Sequence, residues 1–414
     1  MRYFENLSNT AIAERMEVSE STVATHHVRA LETLKGRAKR AGWVVGFLAW
    51  LGSWKGKAAA AAIVAVAGGT AYFFTTDPGT HLIAKSTDLK RTLITPHLDC
   101  PMEAGKNVLY CATFQLAWDE MKSFGGGPLC LDKPWDIADR LNAGGAKKGD
   151  LPEGSFVALA GRLGDGIVGR INAELERTFH QGKDPFLDGI SGDPADVLAY
   201  AFLARDLKFR NPFEPVDGLP FGAAGDRVKG FGFKKEFEEK GQLQAASQVR
   251  VYGYAHGRKD PEYVVTLKPE QEGEEILLAR VSPGRSLLET VEVALRIRKE
   301  KEGEALEKGD RLKVPQFDFD LQHHYPELLG REITAPKLAG PIVEAFQSIR
   351  FKLDEKGALL LSRAVMRVHE EKIGRQLVFD GPFLLMLRRT DRDHPYLALW
   401  VDNAEVLVGE RKAP

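Results

Sequence analysis

Three cysteines, Cys100, Cys111 and Cys130, are the first residues whose chemistry could define a site. An odd number closes no disulfide framework, and it leaves one bridge plus a free thiol, or three buried thiols, as the two readings. No cysteine pair has zinc-finger spacing, and His323-His324 has no cysteine nearby to complete a ligand set, so no metal is expected. Phe124-Gly-Gly-Gly-Pro128 has the glycine content of a phosphate loop, but it follows no strand pattern and lacks the lysine, which makes it an ordinary loop. No nucleophile stands in a recognisable relation to a base, so neither an enzyme nor a cofactor is expected. The run Arg296–Lys308 reads as a solvated charged helix or turn. The chemistry left to this chain is recognition.

The elements that would carry it divide by composition. At 414 residues the chain exceeds one average domain. Hydrophobic content of 43% and charged content of 28% are globular values, and a net charge of -1 excludes no partner class because local asymmetry cancels in the sum. That asymmetry is present near the N-terminus: Arg29, Lys35, Arg37, Lys39, Arg40, Lys55 and Lys57 stand against a single Glu32. Residues 1–40 are polar and periodic, with no cleavable signal peptide. Ser8-Asn9-Thr10 supplies side-chain oxygens for the free amides of a helix start, and Ile12, Ala13 and Met16 follow on one face. Glu17-Val18-Ser19 breaks the pattern, Ser19 can cap a second helix, and Val23, Ala30, Leu31 and Leu34 give that helix its apolar stripe. Two short helices about a tight turn predict a helix-turn-helix.

The stretch "AIAERMEVSESTVATH" within residues 3–35 resembles region 4 of bacterial sigma factors, the promoter-reading part of that family. The resemblance implies that the second helix enters the major groove, with Ser19, Ser21, Thr22, Thr25, His26 and Arg29 facing DNA. It implies DNA and RNA polymerase as partners of the N-terminus. Met1 falls inside what would be the first helix of region 4, and no region 2 precedes it, so a complete sigma factor is not expected. His27 also stands where an apolar residue is usual.

Ala58–Phe74 carries no charge over seventeen residues, roughly 26 Å of helix against a ~30 Å hydrocarbon core. Trp43, Trp54 and Tyr72 suit interfacial positions, and the basic residues precede the run rather than follow it. The expectation is a single-pass protein of the inner (cytoplasmic) membrane: helix-turn-helix over 1–40 in the cytoplasm, a basic and aromatic interfacial linker over 41–57, a transmembrane helix over 58–74, and an extracytoplasmic domain over 80–414.

For that domain, residues 80–130 predict a linker and then helices. Val249–Tyr254, Tyr263–Leu267, Glu275–Val281, Leu312–Leu321, Phe383–Leu387 and Leu397–Val401 predict strands, and Pro341–Gln347 a helix. Such a mixture implies a large α+β domain. Several strings, taken in order, resemble serpins: Asn107-Val-Leu-Tyr-Cys-Ala, "LKFRNPFEP" (207–215), "VPQFDFDLQHHYPELLG" (314–330), "IRFKLDEKG" (349–357) and "VFDGPFLLML" (378–387). The resemblance covers residues 85–408 and implies serpin-like multi-strand sheets with helices.

In an inhibitory serpin a cleaved reactive loop inserts into the main sheet as a new strand, with small residues at its start. By resemblance Gly357 is the hinge glycine of that loop; Ala358, Leu360, Ser362 and Ala364 would face the sheet, and Leu360 obstructs insertion. The position equivalent to the scissile bond is Glu371-Lys372, with Arg363, Arg367 and Arg375 as rival sites for a trypsin-like protease. The family's Ser-Pro pair at the first core helix is Cys111-Ala112, its strand asparagine is Ala201, and its tryptophan is Phe209. These departures predict a regulator whose serpin-like domain does not inhibit and instead binds a protease or another protein. The alternative is a membrane-anchored serpin-type inhibitor with a vestigial N-terminus.

Overall fold

The structure, a computed structural model, describes residues 82–132, 136–180, 184, 187, 190–205, 207–237, 239–258, 261–356 and 374–409. The chain divides into two units, Met1–Thr75 and Thr76–Pro414. The helix-turn-helix, the interfacial linker and Ala58–Phe74 all lie outside the described residues.

From Leu82 the elements run β1 (Leu82–Lys85), β2 (Thr92–Thr95), β3 (Asn107–Cys111), α1 (Thr113–Gly125), β4 (Cys130–Leu131), α2 (Asp136–Ala143), β5 (Phe156–Arg162), α3 (Ile167–Phe179) and β6 (Val197–Leu203). There follow β7 (Glu214–Phe221), β8 (Asp226–Gly232), α4 (Glu239–Ala246), β9 (Val249–Tyr252), β10 (Tyr263–Leu267), β11 (Glu274–Arg280) and α5 (Leu287–Glu300). The last are β12 (Arg311–Pro315), β13 (Phe317–His324), β14 (Glu332–Ala335), β15 (Leu338–Pro341), β16 (Phe346–Leu353), β17 (Gln376–Val378), β18 (Phe383–Arg389) and β19 (Leu397–Val401). The architecture is α+β.

A seven-stranded sheet, ordered β2-β3-β19-β18-β11-β10-β9, forms the centre. Its strands β10, β18 and β19 are buried almost end to end, which explains why they read as continuous Val/Leu runs rather than as alternations. Helix α5 packs on β10 and buries Leu287, Val291, Ala294 and Leu295, the stripe that 3.6-residue periodicity brings to one face. Ser286 caps it by accepting from the Glu289 amide at 3.3 Å. Around Phe383 stand Phe379, Phe221 and Phe317, with ring centroids at 5.2, 6.3 and 6.3 Å. Charge is also buried on this sheet: Glu275 accepts from both Arg388 and Arg298, and Arg298 lies over the Tyr252 ring at 4.6 Å.

Four further sheets surround it: β17-β12-β8-β7, β1-β13-β16, β15-β14-β4 and β5-β6. Strand β16 alternates inward Gln347, Ile349, Phe351 and Leu353 with more exposed neighbours, the period-2 pattern of a strand buried on one face.

Four expectations need correction. The inner-membrane placement is withdrawn: no helix among the described residues is long and apolar enough to cross a membrane. The longest of these, α5, has 14 residues, about 21 Å at ~1.5 Å per residue, and ends in Arg298 and Lys299. Residues 80–130 hold β1, β2 and β3 before the first α-helix, α1, because edge pairing rather than helical periodicity recruits Leu82–Lys85 and Thr92–Thr95. Pro341–Gln347 is no helix: Ile342 donates to the Arg331 carbonyl at 2.8 Å and the Ala345 carbonyl accepts from Tyr325 at 2.9 Å, so the backbone is engaged across strands. The Leu312–Leu321 strand exists but breaks at Gln316 into β12 and β13, which join different sheets.

Candidate functional site

The described residues frame the segment 357–373 from both sides, and this frame is the candidate site. On the entering side β16 runs into Asp354-Glu355-Lys356. The Lys356 amide donates to Asp354 Oδ1 at 3.0 Å, and Gln316 Nε2 donates to Glu355 Oε2 at 2.8 Å. Two backbone bonds then tie this end to the chain that follows β6. The Phe213 amide donates to the Glu355 carbonyl at 2.7 Å, and the Phe209 amide to the Lys356 carbonyl at 3.3 Å. Beneath them Phe209 and Phe213 meet edge-to-face at 5.0 Å and both pack on Phe231, an arrangement that fixes where those amides point.

The leaving side is held more firmly. Arg375 is 2% exposed and Asp310 1%. The Arg375 amide donates to Asp310 Oδ1 at 2.7 Å, while Nε and Nη2 reach Oδ2 at 3.0 and 2.7 Å. Nη1 reaches Glu304 Oε2 at 2.5 Å and Nη2 the Ala305 carbonyl at 2.6 Å. A charge this deep is tolerated because nearly every donor of the guanidinium fork is engaged. Gly374 comes so close to the neighbouring chain that a Cβ there would lie 2.0 Å from the Gly309 carbonyl carbon. Arg375 is therefore closed to a protease, and its place among the rival cleavage sites is withdrawn.

Strands β6 and β16 both contact α1, and their continuations converge at Phe209–Phe213 and Glu355–Lys356, so they run in the same direction. Among the described residues β6 pairs only with β5, and β16 only with β13. At the far end of β16, Gln347 Nε2 donates to the Cys111 carbonyl at 3.0 Å and to Thr113 Oγ1 at 2.6 Å, and Gln347 Oε1 accepts from the Tyr325 hydroxyl at 2.9 Å. This amide binds the strand to the start of α1, where Ala112 offers no side-chain cap. His323 stacks edge-on against Tyr325 at 4.4 Å, and burial, with a smaller contribution from the charge of His324, holds its pKa down to about 4.

The residues singled out from sequence fall as follows. Ser19, Ser21, Thr22, Thr25, His26 and Arg29 lie outside the described residues, as do Gly357, Ala358, Leu360, Ser362, Ala364, Glu371 and Lys372. Ala201 sits half-buried in β6 and Phe209 in the aromatic cluster. Cys100 and Cys111 are buried free thiols whose pKa values burial raises, and Cys130 is free and exposed. Sequence reasoning missed Gln347, Thr113, Tyr325 and Asp310, and took Arg375 for a cleavage site. The signal for Gln347 was a polar residue at an inward position of an alternating strand, hidden by the helical reading of 341–347. Elsewhere a cavity of about 440 Å³ lies beside α5, floored by Leu98, Leu288, Val291 and Leu295 and edged by the Lys299–Asp393 pair. Among the described residues no group of His, Cys, Asp and Glu could hold a metal ion.

Residues 1–34 match the family described as Sigma-70, region 4. No curated protein matches the chain. Solved serpins are similar to most of it. Tengpin, a thermophilic serpin in its native state, is 10% identical, with 77% of this chain and 99% of that one covered at a TM-score of 0.44. Human thyroxine-binding globulin, complexed with its hormone, is 15% identical, with 72% and 92% covered and a TM-score of 0.41. Serpin48 of the insect Tenebrio molitor is 12% identical, with 72% and 92% covered and a TM-score of 0.37. Likenesses at these values bear on no residue's role.

Proposed function

We propose that this chain is a regulator in which the region-4-like segment contacts promoter DNA, and with it RNA polymerase, while the serpin-like domain binds another protein without trapping proteases. The observation that carries the non-inhibitory reading is the tied frame. A strand entering between β6 and β16 would first have to break the Phe209–Lys356 and Phe213–Glu355 bonds, and the Gln347 amide moors the far end of β16 to α1. Leu360, at an inward position by the resemblance, adds a bulky side chain where small ones insert readily.

Titration of promoter DNA with the full chain tests the first half. Binding should weaken steeply with salt, and substitution of Arg29 by alanine should lower both the affinity and the salt slope. Absence of salt-sensitive binding sinks the DNA reading. Incubation with trypsin-like and glutamyl-specific proteases tests the second half: the segment 357–373 should be cut with no SDS-stable complex formed.

The second reading is protease inhibition of the serpin type with a vestigial N-terminus. What favours it is the pair of same-direction strand edges over α1, because an antiparallel strand between them would complete a larger sheet. An SDS-stable covalent complex in the same incubation would establish this reading and exclude the first for the serpin-like domain.

A further inference from the structure

The chain from Leu82 to Thr95 spans two sheets in fourteen residues. β1 lies parallel on the outer side of β13, Leu82 opposite Phe319 and Lys85 opposite Gln322. β2 lies parallel on β3 at the edge of the seven-stranded sheet, Thr92 opposite Asn107. The corner between them is pinned hard. The Glu405 carboxylate accepts from the Lys90 amide at 2.8 Å, the Arg91 amide at 3.0 Å and the Thr92 hydroxyl at 2.6 Å. Asn107 Nδ2 reaches Thr92 Oγ1 at 3.0 Å, and Asn403 Nδ2 reaches the Arg91 carbonyl at 3.1 Å.

One end of this segment is therefore fixed by a charge-assisted, partly buried network, and the other is held to β13 by a four-residue edge ladder, with the turn Ser86–Asp88 also against β13. An edge strand of that length is the cheapest part of a sheet to open. Its neighbour β13 pairs over its whole length with β16, from Phe317 opposite Leu353 to His324 opposite Phe346. Strand β16 in turn ends on Glu355 and Lys356, which meet Phe213 and Phe209.

We propose that β1 is a peelable strap, rooted at Lys90–Thr92, whose pairing with β13 holds the β13–β16 ribbon closed against the Phe209–Phe213 corner. Anything that draws on the chain before Leu82 lifts β1 as far as that root and loosens the ribbon. By reciprocity, whatever loosens the ribbon frees β1. This goes beyond the proposed function and does not require the N-terminal segment to bind DNA.

Neighbouring residues of a strand send their amides to opposite sides, so of Ile83 and Ala84 only one donates to β13. In the full chain, Ile83→Pro and Ala84→Pro form a matched pair: one removes a ladder bond and the other removes an outward amide. Hydrogen exchange read by mass spectrometry should show the first variant exchanging on the order of tenfold faster across β13, β16 and the amides of Phe209 and Phe213. The second variant should match the parent, and β18 and β19 should be unchanged in both. Acceleration confined to residues 82–95 would overturn the proposal, because β1 would then be a passive cap. Equal acceleration in β18 and β19 would also overturn it, as general destabilisation. The unsubstituted chain gives a check that needs no variant: in low urea, β1, β13 and β16 should exchange as one opening event below that of β18 and β19, and separate openings refute the strap.

Discussion

Removing the carboxylate of Asp310 should destabilise the domain severely, because it strands a buried cation. Arg375 and Asp310 each leave only 2% of the side chain exposed, and three of the contacts that hold Arg375 end on that one carboxylate. Glu304, the other charged partner, is 60% exposed and therefore well solvated, so it offsets little of the loss. Breaking one partner of such a pair costs about 3–5 kcal/mol, against a total stability of roughly 5–15 kcal/mol. Unfolding entropy near ~2.1 cal/mol/K per residue, taken over the roughly 340 residues from Thr76 to Pro414, is about 0.7 kcal/mol/K. Asp310→Ala should thus lower Tm by about 4–7 °C in circular dichroism melts. The double variant Asp310→Leu with Arg375→Met removes both charges and should recover to within about 1–2 kcal/mol of the parent. A shift in Asp310→Ala below about 1 °C, or a double variant no better than the single, would refute the claim that this pair roots the leaving side of 357–373.

Three further outcomes follow from the same frame. Gln347→Leu deletes two donated bonds and one accepted bond at the start of α1, so it should cost about 1–3 kcal/mol and speed exchange at the Phe346 end of β16. Gly374→Ala would drive a methyl group into the Gly309 backbone and should melt several degrees lower, whereas Gly381→Ala, with nothing within 4 Å, should not; equal Tm values in urea-free melts would show that the β17 root yields. His323 has a folded pKa of about 4, below the unfolded value near ~6.5, so the unfolded state binds the proton first; stability is full above pH ~6.5 and declines as pH falls toward 4. His323→Gln should flatten urea midpoints over that window, and parallel declines in parent and variant would assign the loss to other groups.

How much was legible in the sequence depends on what decided each element. Strands such as Tyr263–Leu267 and Leu397–Val401 were readable because burial on both faces demands uninterrupted apolar residues, a property local to the segment. Leu82–Lys85 and Thr92–Thr95 were not, since they are strands only by virtue of partners more than ten or two hundred residues away in sequence. Pro341–Gln347 deceived for the opposite reason: its apolar spacing suits a helix, yet Leu338–Pro341 closes a hairpin with β14 and leaves no room for one. Around the candidate site, the strands on either side of 357–373 were legible in the strings "IRFKLDEKG" and "VFDGPFLLML", which fall on β16 and β18. The groups that hold the ends of that segment were invisible, because Arg375 read as an accessible basic residue until Asp310 was brought against it.

The bonds from Glu405 and Asn403 to Lys90, Arg91 and Thr92 have one more implication, for the architecture of the gene rather than of the site. They bring residues 90–92, just after β1, against residues 403–405 near the end of the described fold. A chain that keeps Leu82–Gly409, joined end to end by a linker that spares β1 and reopened in the Gly222–Gly225 turn between β7 and β8, retains every strand pairing, and a circular permutant of that design should fold.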